Sequence, residues 1–219
     1  MKNFTSEEKK YKKFPGTFIV FEGIDGSGKS LQAERLFSSL KENNANVTLV
    51  REPGGTVLAE EIRDILLTPR EESLSAEAEL FLYEAARAQL VSTKVIPLLR
   101  RGDTVICDRF TDSTLAYQGY GRSLELSFIN KANRLASYSL TPDITIILDI
   151  SWEESERRRN HKKKDRLEQE AELFFNRVRR GYIELAEVKQ DVILLNGNAS
   201  PGNLEQKILS LVKEKGRLS

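Results

Sequence analysis

From residue 17 onward, short apolar runs alternate with longer stretches of helical periodicity. The runs Thr17–Phe21, Val47–Val50, Thr104–Cys107, Ile144–Leu148 and Val192–Leu195 are nearly continuous in apolar and β-branched residues. That pattern predicts strands buried on both faces rather than alternating, half-exposed ones. Between them Ala33, Leu36, Phe37 and Leu40 recur at helical spacing, as do Phe174, Val178, Tyr182 and Leu185, and finally Leu204, Ile208, Leu211 and Val212. A further long helix is predicted around Glu77–Leu99. Strand and helix in alternation predict an α/β fold with a central five-stranded parallel sheet flanked by helices. In such sheets ligands bind beyond the carboxyl ends of the strands, so the residues just after each run are where chemistry is expected. Residues 1–15 are polar, lysine-rich and aperiodic up to Pro15, which predicts an N-terminal extension ahead of one domain over 16–219.

Composition narrows the function. The chain has 219 residues, 39% of them hydrophobic, enough for one well-formed core. Lys and Arg total 34 against 33 Asp and Glu, so no global positive charge is available to hold a nucleic-acid polymer, and any basic site must be local. No window is apolar enough to span a bilayer and the first ten residues lack the apolar stretch of a signal peptide, which predicts a cytoplasmic protein with no membrane partner. The single cysteine, Cys107, excludes an internal disulfide and a Cys-built zinc site; following Val105 and Ile106, it is expected as a buried strand residue.

The first run ends at Gly23-Ile24-Asp25-Gly26-Ser27-Gly28-Lys29-Ser30, which satisfies the P-loop spacing of Gly, four residues, Gly-Lys-Ser/Thr. Glycines are needed there because the backbone curls tightly and aims successive N–H groups at phosphate oxygens. Lys29 supplies a cation to the β and γ phosphates, Ser30 offers a hydroxyl to Mg²⁺, and the following helix presents its positive end. Gly23, Asp25, Gly26, Ser27, Gly28, Lys29, Ser30 and Leu31 are therefore the expected ATP contacts. A ligand-free glycine turn is the bland alternative, and the strand before and helix after disfavour it.

The second and third runs also end in charge. Arg51-Glu52-Pro53-Gly54-Gly55-Thr56 follows the second, and Asp108-Arg109-Phe110 the third, with Ser113-Thr114-Leu115-Ala116-Tyr117-Gln118-Gly119 just beyond. Arg51 and Arg109 can both reach one anion opposite the ATP phosphates, and two arginines suit a monophosphate acceptor. Asp108 ends an apolar strand as a Walker B carboxylate does; with Ser30 and Glu52 it forms the expected Mg²⁺ set, direct or through water. Each charge alone would read as a surface ion pair; three at successive strand ends do not.

These strings, with Glu22-Gly23 and the late stretch from Asp165-Arg166-Leu167-Glu168 to Phe174-Phe175-Asn176-Arg177-Val178-Arg179, resemble the thymidylate kinase family across nearly all of residues 17–215. Arg-Glu-Pro-Gly-Gly-Thr is its most characteristic string; Phe110 stands where the family usually has Tyr or His. The resemblance implies a P-loop nucleoside monophosphate kinase fold, transfer of the γ-phosphoryl group of ATP to dTMP, Mg²⁺ as cofactor and a homodimer. It implies that Tyr83, usually Phe in the family, stacks on thymine and that Arg87, four residues on, donates to a thymine carbonyl. It implies further that Thr114 and Gln118 lie beside the base and Tyr117 beside the sugar, that Pro53 and Ser113 line the same site, and that Asp25 lies near the acceptor sugar and phosphate.

The basic run Arg157-Arg158-Arg159-Asn160-His161-Lys162-Lys163-Lys164-Asp165-Arg166 reads on its own as a solvated surface loop. Placed between a short helical stretch near Ser151 and a long helix, it can instead form a lid at about 151–168. In family members whose P-loop lacks arginine, as Asp25-Gly26-Ser27 does, the resemblance implies that the lid supplies a catalytic arginine. Arg157, Arg158 and Arg159 are the candidates, Arg158 first by alignment. Two other classes fit less well. A deoxynucleoside kinase has no acceptor phosphate for the two arginines to clamp. A GTP-dependent switch needs Asn-Lys-x-Asp, and the nearest string, Asn130-Lys131-Ala132-Asn133, lacks the closing carboxylate.

Overall fold

All five apolar runs are strands: β1 Phe18–Glu22, β2 Val47–Arg51, β3 Thr104–Asp108, β4 Ile144–Asp149 and β5 Val192–Asn196. They come from a computed structural model that describes residues 14–43, 45–69, 71–159, 165–167 and 170–214. The strands pair in the order β2-β3-β1-β4-β5, every neighbouring pair parallel. Chain order reverses on either side of β1, so the crevice at the carboxyl end of β1 is the topological switch point where a ligand site belongs. In the β1–β3 register Phe21 lies opposite Asp108, which brings the start of the P-loop level with the Asp108-Arg109 pair.

Period-two alternation divides β1 between two cores. Ile19 and Phe21 pack with Ala33, Leu36, Leu204 and Ile208, the buried stripes of helices α1 (Lys29–Glu42) and α9 (Pro201–Glu214). Phe18 and Val20 face Leu90, Val91, Val95, Leu99 and Cys107 on the other side. Cys107 is a free, buried strand residue, as expected. Phe14 already packs against this second cluster, with the Arg100 guanidinium 5.9 Å from its ring centroid, so the described fold is tied down two residues ahead of Gly16. Residues 1–13 of the expected extension lie outside the described residues.

Two helical features depart from the sequence pattern. The helix expected over 77–99 is α3 (Ala76–Leu90), a π-helical turn at Val91–Val95 and α4 (Ile96–Arg100). Pro97 cannot donate a backbone hydrogen bond and its ring would press on the preceding turn; the wider turn, in which Ile96 N donates to Val91 O, removes that conflict. The segment Val57–Leu67, unassigned from its pattern, is helix α2, started by the Thr56 hydroxyl, which accepts from Ala59 N at 3.2 Å. The remaining helices are α5 (Thr111–Thr114), which runs on through a π-helical segment Leu115–Gly121, then α6 (Leu126–Ala136), α7 (Trp152–Arg159) and α8 (Glu172–Val188). None of the described helices is long and apolar enough to cross a membrane.

Candidate active site

The P-loop leaves β1 through Gly23, whose φ of 136° suits only glycine; a Cβ there would lie 2.5 Å from Leu148 O. Gly28 caps α1 in the left-handed region at φ 92°, and no side chain caps the helix. The first-turn N–H groups are thus left for an anion. Lys29 Nζ donates to Asp25 Oδ1 at 3.3 Å, and the Ser30 hydroxyl donates to Asp108 Oδ2. Asp108 Oδ1 is buried with no hydrogen-bond partner among the described residues. Leu31, in the first turn of α1, has an exposed side chain and brings one of those first-turn N–H groups.

Arg109 closes β3 in the left-handed region at φ 73°, a conformation a bulky residue adopts only when its surroundings impose it. Its backbone N donates to Phe21 O at 2.8 Å. From Nη1 it donates to Gly23 O at 3.0 Å, Ser113 Oγ at 3.2 Å and Tyr182 Oη at 3.3 Å. From Nη2 it donates to Asp25 Oδ1 at 2.6 Å and Tyr117 Oη at 3.2 Å. Burial alone would push the Asp25 carboxyl up, but Arg109 and Lys29 outweigh it and hold the group well below the usual carboxylate range. Asp25 therefore stays ionised at any working pH.

Beneath this cluster lies Glu22, fully buried, which sequence reasoning did not single out as a site residue. Its Oε1 accepts from Phe110 N at 2.8 Å and Ser113 N at 3.1 Å, and its Oε2 from the Ser113 and Tyr182 hydroxyls. Burial, then the neighbouring Asp112 carboxylate, push its pKa to about 7 against the pull of Arg109. A carboxyl raised in the folded state contributes stability that is complete below its unfolded value near 4.5 and is lost as pH rises through about 7. Glu22→Gln keeps the acceptor for both N–H groups and removes the titration. The expected result is that its stability relative to the parent rises by a few kcal/mol at most between pH 5 and pH 8. Denaturant unfolding without nucleotides measures it, and a pH-independent difference would contradict the raised pKa.

Next to Arg109 lies a cleft with about 550 Å³ of space between its walls, its open mouth included. Every residue expected from the sequence around the acceptor lines it except Arg51. Arg51 is half-exposed and donates from Nη2 to Glu60 Oε2 at 2.8 Å, because the α2 carboxylate that also accepts from Gly55 N stands in its way. Arg87 is 2% exposed, and its N–H groups serve Glu52, Glu84, Asn133, Phe110 O and Thr114 Oγ1 at 2.6–3.0 Å. Glu52, grouped with the metal ligands from the sequence, accepts from Arg87 Nε at 2.8 Å on Oε2 and keeps a buried Oε1 with no hydrogen-bond partner among the described residues; burial pushes its pKa to about 7 although Arg87 pulls it down. Arg63 and Leu67 of α2, Asp165 and Leu167 also line the cleft. Arg63 donates from Nη1 to Pro53 O at 2.9 Å. An Arg-Leu pair four residues apart marks one helix face, but that signal exists only once α2 is recognised as a helix.

Of the lid arginines, Arg158 approaches the phosphate loop, donating from Nη1 to Gly26 O at 3.1 Å and from Nη2 to Gly197 O at 3.0 Å. Arg159 is buried, its guanidinium 5.3 Å from the Trp152 ring centroid and 5.2 Å from that of Phe175. Arg157 points to solvent and pairs with Glu154. Residues 160–164, His161 included, and 168–169 lie outside the described residues.

A family model described as thymidylate kinase matches residues 21–208. A thymidylate kinase of Pelotomaculum thermopropionicum is 48% identical over 173 residues, 78% of this chain and 80% of that one. Another, of Caldanaerobacter subterraneus subsp. tengcongensis, is 42% identical over 200 residues, 91% of this chain and 96% of its own. The crystal structure of thymidylate kinase from Ehrlichia chaffeensis superposes with a TM-score of 0.73 at 34% identity, covering 90% of this chain and 98% of that one.

Proposed function

Since the chain belongs to the thymidylate kinase family and so transfers the γ-phosphoryl group of ATP to dTMP, giving dTDP and ADP, we propose how its residues divide that work. The observation that carries this reading is the reach of Arg109. One guanidinium lines the cleft and also donates to Gly23 O and Asp25 of the phosphate loop, so it stands where donor and acceptor phosphates meet. Phosphoryl transfer asks the protein mainly for positioning and for stabilisation of charge on the transferring group. Lys29 and the first-turn N–H groups of α1 hold the ATP phosphates. Arg109 holds the dTMP phosphate with Tyr117 against the sugar, and Arg51 joins once its exposed pair with Glu60 yields to a doubly charged anion. Tyr83 supplies a flat face for the base. Arg87 offers a ring carbonyl the N–H it otherwise gives to Thr114 Oγ1, with Gln118 alongside; Pro53 and Ser113 complete the wall.

Ser30 and the partnerless Oδ1 of Asp108 fit a hard divalent cation. These two would hold Mg²⁺, which when bound neutralises charge on the phosphates. Arg158, already on the Gly26 carbonyl, is our choice for the lid arginine. Arg158→Ala is expected to lower kcat about 10²-fold with little change in either KM. Steady-state kinetics checks it, and a triple Arg157, Arg158, Arg159→Ala variant with near-normal kcat would return the run to a solvated surface.

We also propose a homodimer in a cytoplasmic setting, with residues 16–219 as one domain. Val57, Leu58 and Ile65 on α2, Phe81 on α3 and Phe128 and Leu135 on α6 are exposed apolar groups on three adjoining helices, a face a second copy would cover. Sedimentation at micromolar concentration tests this, and a monomer would remove it. Turnover across dTMP, dUMP, dCMP, dGMP and thymidine with ATP and Mg²⁺ tests the acceptor reading; preference for thymidine over dTMP would sink it.

A further inference from the structure

Glu79 belongs to no motif that the reaction needs, yet it is a carboxylate 0% exposed, one hydrogen bond behind Gln118 of the cleft lining. It lies four and eight residues before Tyr83 and Arg87, on the same face of α3. Three donor residues from two segments, the π-helical segment with its cap and the turn at 165–167, converge on it. Gln118 Nε2 donates to Oε1 at 2.8 Å; Arg122 donates from Nε and Nη2 at 3.3 Å; Arg166 Nη2 donates to Oε2. Burial works against its charge, but the Arg122 hydrogen bond and the other cationic neighbours outweigh it, so the group is held ionised.

What these donors carry decides the meaning. Gln118 lines the cleft itself. Arg166 sits in the turn at 165–167, whose Asp165 and Leu167 line it as well. That turn is fixed to α2 by Arg166 N donating to Leu67 O at 3.1 Å and Arg166 Nε donating to Leu66 O at 2.7 Å. Arg122 adds an ion pair to Glu170 and lays its guanidinium 4.7 Å from the Phe174 ring centroid, at the start of α8. A single buried charge thus joins α3, the π-helical segment and the turn beyond the lid helix.

We propose that Glu79 is a positioning residue for the acceptor nucleoside: it fixes the Gln118 amide and the Asp165–Leu167 turn, both part of the dTMP cleft lining, without touching the nucleotide. Gln118 uses one amide N–H on Glu79, which fixes the plane of the amide and leaves its second N–H and its oxygen for a base. The inference rests on the cleft being the dTMP site, and the experiment separates the two. Glu79→Gln keeps the shape and an acceptor for Gln118 but removes the charge that gathers two arginines. Its KM for dTMP is expected to rise about tenfold, the scale of a lost charge-assisted hydrogen bond, while KM for ATP and kcat stay within about twofold. A merely structural role would lower the apparent kcat through loss of folded protein and leave both KM values where they were. Arg166→Gln is expected to reproduce the effect, and the double variant to add little, because both remove one interaction. Gln118→Ala and Tyr83→Ala serve as references. If they raise KM for dTMP and neither Glu79→Gln nor Arg166→Gln does, the positioning role is overturned. If the references leave KM for dTMP unchanged, the cleft reading falls and this inference falls with it. Should Glu79→Gln fail to fold, Arg166→Gln alone decides between these outcomes.

Discussion

Lys29→Met is expected to lower kcat about 10³-fold while the protein keeps its fold and its affinity for dTMP. The size follows from removing one preorganised cation from the place where charge gathers on the transferring phosphoryl group. Lys29 is 6% exposed and its stem is part of the buried face of α1, so methionine, unbranched and of similar length, fills the space the lysine leaves. The ammonium contacts only Asp25 among the described residues, and Asp25 keeps its 2.6 Å bond from Arg109, so no buried carboxylate is stranded. Steady-state kinetics and a thermal melt measure the two halves of the expectation. Activity within a few-fold of the parent would remove Lys29 from the mechanism; a collapsed melt would show a structural effect instead.

Arg109→Ala is the second large effect, and it differs in kind. The side chain holds five partners, so its loss takes away the acceptor clamp and the cation that ties these groups together, while Asp25 keeps Lys29 and the Tyr117 hydroxyl and Tyr182 keeps Glu22. The value of kcat/KM for dTMP is expected to fall about 10³-fold, with KM for ATP moving far less. Arg109→Lys separates charge from shape. A lysine restores a cation near Asp25 but cannot span Gly23 O on one side and Tyr117 on the other with a planar fork, so it is expected to recover only part of the loss. A variant with weakened ATP binding and normal dTMP kinetics would place this arginine on the other substrate.

The strands were legible because burial on both faces leaves near-continuous apolar runs, and each run matches a strand to within a residue or two. The phosphate loop was legible because its chemistry is local: glycines, a lysine and a hydroxyl within eight residues. Helix α2 was not, because Val57, Leu58 and Ile65 face outward and blur the apolar stripe that marks a helix. The pairing within the site was equally hidden. Glu52 stands beside Arg51 in sequence, yet its partner Arg87 lies 35 residues away, and Glu22 meets Tyr182 across 160. Local spacing carries no information about such partners. A carboxylate closing an otherwise apolar strand was the one available hint that Glu22 is held inside for a purpose.

The parallel register that sets Phe21 opposite Asp108 has a mechanical meaning. The phosphate loop and Arg109 spring from neighbouring strands tied by ladder hydrogen bonds, the last of them from Arg109 N to Phe21 O. Adjacent strands are held about 4.8 Å apart, with little play. The phosphate loop and Arg109 therefore form the fixed jaw of a gauge, whose spacing is set by the sheet. Thermal motion moves the two together, and the adjustable jaw is left to α7, off the sheet. Amide exchange would display this division: Asp108 and Arg109 among the slowest protons of the chain, the amides of α7 among the faster, whether or not nucleotide is bound.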